Sequence, residues 1–263
     1  MAFDTHTYHI EHSSAHGYAA SPHFSNARMW QHSSTGLEVV NESDLSPFIA
    51  TIVGRVSPYC LKCTPSGNHF TGADHELSVD YLARVRNLEI LQAEVGKTGN
   101  HKNMVIDDYT GKMIRFIKNI FTVCDRTIPD SPHGEAAENA PKMDDETKNW
   151  LIPDEFAHNF DGLKYSMAAE PLPLYHEGHL VEPRHANQII NGTIMEVQFS
   201  IQHWCITDFN SFQATAQKVT VLRLGPIHIP SNYKHANPEA DLDEQPKMKK
   251  LRYNAEAGSS KDG

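Results

Sequence analysis

The stretch NGTIMEVQFSIQHWCITDFNSFQATAQKVTVLRLG, residues 191–225, constrains the fold more than any other part of the chain. From residue 194 its apolar and polar residues alternate with the period of two that a strand imposes on its side chains. Met195, Val197, Phe199, Ile201 and Cys205 fall on one face, with His203 among them, and Glu196, Gln198, Ser200, Gln202 and Trp204 fall on the other. After a polar loop over 207–215, Thr220, Leu222 and Leu224 alternate with Val219, Val221 and Arg223, so a second strand follows whose buried side stays open. Two strands with one apolar face need a layer to cover that face. The reverse face offers amides, a hydroxyl and an indole. An exposed Trp beside Gln and Arg is what a stacking platform for unpaired bases requires; the alternative is that the 207–215 loop caps Trp204.

Other segments share the strand signature. In PFIATIVGRVS (47–57) Ile49, Thr51, Val53 and Arg55 alternate with Ala50, Ile52, Gly54 and Val56, and Gly54 inside the strand predicts a bulge or tight bend. LSVDYLARVRNLEILQAEVG (77–96) fits both periods: Leu77, Val79, Tyr81, Ala83 and Val85 alternate, while Leu82, Val85, Leu88 and Leu91 fit a helix. The expectation is a strand, a break near Arg86–Asn87, and a short second strand. NMVIDDYTGKMIRFIKNIFTVC (103–124) predicts a hairpin turning at Tyr109–Gly111, its second strand running into an amphipathic helix through Met113, Ile114, Phe116, Ile117, Ile120 and Phe121.

Charge and composition divide the rest. Residues 1–45 hold six of the 17 histidines without sustained periodicity and read as a flexible His-rich arm, with a short strand near Leu37–Val40. Within 126–190 twelve acidic residues face five basic ones, whereas 84–118 has seven basic against four acidic, so an acidic, Pro-rich insertion follows a basic stretch. Residues 230–263 are polar and charged and read as a disordered tail. Its KMKKLR (247–252) is compatible with nuclear import. The net charge of −10 argues against diffuse coating of nucleic acid but leaves room for a local basic groove. No apolar run is long enough to span a bilayer. MAFDTHTYHIEHSSAHGYAA lacks the basic and apolar regions of a secretory signal, so an intracellular chain with reduced thiols is expected.

One metal set stands out. Cys60, Cys63, His69 and His75 follow C-x2-C-x5-H-x5-H in a breaker-rich loop, and thiolate and imidazole are the ligands tetrahedral zinc takes. The competing reading is two reduced thiols with unrelated histidines. HEGH (176–179) places two histidines around a carboxylate but lies in the Pro-rich segment and reads as a loop. Asp107–Asp108 reads as part of a turn. None of the hydrolase, zincin, P-loop or dinucleotide motifs occurs, and no residue set asks for an enzyme.

GTIMEVQFSIQHWCI…FQATAQKVTVLRLG resembles the closing hairpin of viral and phage single-stranded DNA-binding proteins of the OB type. SPFIATIVGRVS resembles their opening strand, and MVIDDYTGKMIRF resembles their acidic turn with Thr-Gly before a strand; together these cover about 70 residues. The resemblance implies a β-rich, all-β to α+β fold: an OB-like barrel over 46–229, with the 126–190 insertion and disordered termini. By position it implies nucleic-acid contacts from Arg55, Tyr59, Lys112, Arg115, Phe116, Trp204 and Arg223. The leading expectation is non-catalytic binding of single-stranded nucleic acid, DNA or RNA, with protein partners reached through the acidic segments. A zinc-stabilised interaction module is the alternative, and a metal-dependent enzyme the third reading.

Overall fold

The computed structural model describes residues 4–26, 28–56, 62–64, 67–73, 80–96, 100–108, 111–124, 143–150, 158, 160, 163–164 and 166–225. In chain order the elements begin with α1 (Thr5–His12), β1 (Arg28–His32), β2 (Leu37–Asn41), β3 (Ala50–Val56), β4 (Lys62–Thr64) and β5 (Gly67–Ala73). Next come α2 (Tyr81–Val95), β6 (His101–Lys102), β7 (Val105–Asp108), β8 (Gly111–Lys118), β9 (Phe121–Val123) and α3 (Asp145–Lys148). The last are β10 (Met167–Ala169), β11 (Leu174–His176), β12 (His179–Leu180), α4 (Pro183–Ile190), β13 (Ile194–Ile206) and β14 (Phe209–Arg223). Among the described residues no helix is long and apolar enough to cross a membrane.

Five strands pair in a ring. β13 is antiparallel to β3 and to β14, β3 to β5, and β5 to β8, while β8 runs parallel to β14 and so returns to β13. Taken in chain order, the first strand pairs with the second and fourth, and the fifth with the third and fourth. That is an OB-like arrangement, a Greek-key ring left partly open. Among the described residues β3 meets β5 at Arg55–Ala73 and Val56–Gly72, and β8 meets β14 at Phe116–Ala214 and Ile117–Thr215.

The alternation read from 194–206 holds as far as Trp204, while Cys205, expected on the core face, is exposed near the hairpin tip. Met195, Val197, Phe199, Ile201 and His203 are buried, and Glu196, Gln198, Ser200, Gln202 and Trp204 are half-buried on the reverse face. Ala50, Ile52 and Val56 of β3 and Phe116 of β8 join this core, with Phe116 edge-on to Phe199 at 5.0 Å between ring centres. Such aromatic pairs add about 0.5–1.5 kcal/mol to the burial itself.

Several expectations are corrected. Residues 81–95 form one helix instead of two strands: Val85, Leu88 and Leu91 are buried at helical spacing, while Leu82 is 77% exposed. The hairpin at 105–118 forms as expected, but β8 continues as a strand where a helix was expected, because Ile114 and Phe116 serve the core with strand periodicity. Gly54 pairs with Met195 in unbroken register. The irregularities lie across β13–β14, at Ile194/Met195 and Gln198/Phe199, the second leaving both Gln217 and Lys218 exposed. The acidic insertion is partly structural, since Leu172, Leu174, Ala186 and Ile190 enter the core. The charged tail with KMKKLR lies outside the described residues.

The largest correction concerns residues 1–45, read as a flexible arm. Ala19, Phe24 and Val39 are core residues, and Tyr18 bridges to Thr51 along β3 beyond the reach of β5. α1 is fastened from below. The buried Asp80 carboxylate, at the start of α2, accepts the Tyr18 hydroxyl and pairs with His9, while Tyr8 donates to Glu196 on β13 at 2.6 Å. Burial and the Glu196 carboxylate raise the Tyr8 phenol well above its ordinary range, so it remains a donor. Arg28 grips Glu94 of α2 through two 2.9 Å bonds. Its small and aromatic apolar residues show no period of their own, so only tertiary partners order this segment. Phe24→Ala is therefore expected to cost about 3–5 kcal/mol in denaturant unfolding, whereas a flexible arm would register no change.

Candidate nucleic-acid interface

The outer face of the β13–β14 hairpin carries uncharged polar residues in opposed pairs: Trp204–Ser211, Gln202–Gln213 and Ser200–Thr215. Directly opposed residues of a ladder share a face, so these side chains form one strip. Amide bonds knit part of it: Gln213 Nε2 donates to Thr215 Oγ1 and Gln217 Nε2 to Ser200 Oγ, both at 3.0 Å. Beside the upper end of the strip runs the segment 100–104. Its Lys102 pairs with Ser211, and its Met104 and Asn103 carbonyls accept from the Arg115 N–H and Nη2, each at 2.8 Å. One register row therefore reads Lys102, Ser211, Trp204, with the backbone of the exposed Lys102 about 10 Å from that of Trp204 across two strand spacings. Arg115 leaves β8 by the same outer face, since its neighbours Ile114 and Phe116 point to the core. It is half-buried, and desolvation lowers its pKa from the ordinary value.

Trp204 is supported from behind and from one side. His203 beneath it is 5% exposed, donates from Nε2 to the buried Asn210 Oδ1 at 2.9 Å, and packs on Phe212 with ring centres 4.5 Å apart. At the β1–β2 turn Gly36 has φ +155, and a Cβ there would meet the His203 carbonyl and lie 3.1 Å from Trp204 Cβ. Only glycine lets that turn sit so close to the hairpin. The 207–215 loop, the alternative cap for Trp204, does not form, since 209–215 belong to β14. The turn is Thr207–Asp208 alone, closed by Ile206–Phe209, and those two apolar residues stand 66% and 44% exposed at its tip.

The predicted residues divide. Trp204 and Arg115 share the strip. Lys112, three residues from Arg115 on the same strand, leaves by the opposite face. There it bonds to Glu89 of α2 and lies 3.5 Å from Asp107, and the Glu89 contact raises its pKa. Phe116 is fully buried and belongs to the core; its side chain has no surface on which a base could stack. Arg55 Nη1 donates to the Gly192 carbonyl at 3.3 Å. Arg223 is exposed but pairs with Ile194, at the other end of β13 from Trp204, about 33 Å away along a strand of this rise.

Tyr59, Cys60 and His75 lie outside the described residues. Cys63 on β4 pairs with Asn68, and His69 on β5 pairs with Lys62. Lys102, Ser211, Ile206 and Phe209 were missed. The signal for the last three was present in ITDFNSF, where Thr-Asp is a turn dipeptide flanked by alternating residues. Lys102 had no local signal, because only the parallel pairing with β14 brings it in.

Thr207 sits at φ 60, a left-handed conformation that a β-branched residue adopts only under strain. Thr207→Gly is expected to stabilise the protein by about 1 kcal/mol in thermal or denaturant unfolding, as the strain released exceeds the added chain entropy of glycine.

No protein-family model and no curated protein matches the chain. Among solved structures it is similar to gp2.5, a single-stranded DNA-binding protein encoded by bacteriophage T7, at 12% identity and a TM-score of 0.42. The match covers 69% of this chain and 89% of that one, and the resemblance is weak.

Proposed function

We propose that this chain binds single-stranded nucleic acid without catalysis, along the outer face of the β13–β14 hairpin near its tip. The observation that carries the reading is the register row Lys102–Ser211–Trp204, with Arg115 on the same face. An indole with a cation two strands away offers an unpaired base a stacking surface and its backbone a phosphate partner, and neither contact reads sequence. The apolar pair Ile206 and Phe209 extends the stacking surface at the turn between the last two strands of the ring. In barrels of this type the loop at that position is one of those that contact oligonucleotides. The gln-ser-thr strip below supplies donors and acceptors to sugar and base edges.

The net charge of −10 is unevenly placed: twelve acidic residues against five basic lie in 126–190, whereas 84–118, which holds Lys102 and Arg115, has seven basic against four acidic. Within the acidic segment Glu170 accepts from Lys118 at 3.0 Å and from Thr122, and both bonds lower its pKa. The face so described is small and carries two cations, so moderate affinity with a shallow salt dependence is expected.

Titration with oligo-dT and oligo-U at two salt concentrations tests the proposal. Trp204→Ala should weaken binding by about 1–3 kcal/mol, the usual worth of one base–aromatic stack. Lys102→Ala should lower the slope of log K against log salt by about 0.7, as one phosphate contact is lost. No binding at low salt would refute the reading.

A further inference from the structure

The HEGH motif, read from sequence as a loop, is a β-hairpin. β11 and β12 pair as Tyr175–Leu180 and His176–His179, leaving Glu177 and Gly178 as the turn. Both turn residues are left-handed, with φ of 50 and 81, the signature of the two-residue turn that matches strand twist. His176 and His179 are therefore opposed across the ladder and share one face, with Cα atoms about 5.5 Å apart in such a pair. His179 is exposed and His176 half-exposed, so both rings are free to turn toward a common point.

The hairpin is also held rigidly. Leu174 is fully buried and accepts the Val181 N–H at 2.8 Å. Leu174 and Tyr175 pair in parallel with Val219 and Thr220 of β14, and the Lys218 ammonium lies 5.5 Å from the centre of the Tyr175 ring. A two-nitrogen site on a fixed backbone loses less entropy on binding than the same residues on a loop.

We propose that His176 and His179 form a chelate for a divalent transition cation of borderline softness, the class that imidazole nitrogen prefers to magnesium or calcium. Two protein nitrogens bind it, and water completes the coordination. Among the described residues no group of three or more His, Cys, Asp or Glu converges, so the site is a labile one, open to exchange. It is separate from the Cys60, Cys63, His69 and His75 set and independent of the nucleic-acid reading.

Zinc ion alone is the probe, added to the full chain while the side-chain NMR signals of His176 and His179 are followed. Both rings should shift along one and the same saturable isotherm. His176→Gln should abolish the shift of His179, and His179→Gln that of His176, with the amide signals of Leu174 and Val219 unmoved to confirm the fold. Rings that do not respond, or that titrate independently of each other, would overturn the proposal.

Discussion

The antiparallel pair β13–β14 is the contact on which the rest of this structure depends. Among the described residues it is the longest ladder, running from Ile194–Arg223 to Ile206–Phe209. β2 and β3 attach to β13, and β6, β8 and β11 attach to β14. Because the two long strands carry partners on both edges, their apolar face is covered by a ring instead of a second sheet. The same pairing that closes the core also brings Trp204, Ser211 and Lys102 into one row. Fold and candidate site are thus consequences of one register, and a slip by a single residue would exchange the two faces.

The N-terminal segment is built in along β3. Among the described residues β3 pairs with β5 at Arg55 and Val56, and its edge at Thr51 is taken by Gly17–Ala19 through backbone hydrogen bonds. Asp80 then ties this segment to α2 through Tyr18 and His9. Its carboxylate is 3% exposed as a residue, so removal of a partner would leave a buried acceptor less well satisfied. The histidines that suggested a soluble arm are in part structural: His9 meets Asp80, and His12 stacks on Tyr8 with ring centres 3.9 Å apart.

What could be read from sequence was what depends on local period. The two faces of β13, the burial of Ala50, Ile52 and Val56, and the hairpin between β7 and β8 all follow from alternation or turn residues. α2 was misread because its first residues alternate as well as they spiral, and a nearly balanced local preference is decided by packing against the ring. The site was half legible. Trp204 stood out as a large aromatic on a polar face, but Phe116 was assigned to the surface although its alternation with Arg115 already placed the two on opposite sides. Lys102 and the His176–His179 opposition depend on pairings, one between segments about a hundred residues apart and one across a turn whose Glu gives no hairpin signal.

The central claim is that one face of the β13–β14 hairpin, near its tip, holds a single strand. Backbone amide chemical-shift mapping with oligo-dT at low salt tests it most directly. The account predicts that the largest changes cluster at Lys102, Gln202, Trp204, Ser211 and Gln213, with little effect near Arg223 at the far end of the ladder. Changes centred on Arg223 or on α4, or none on the outer face of the hairpin, would contradict it.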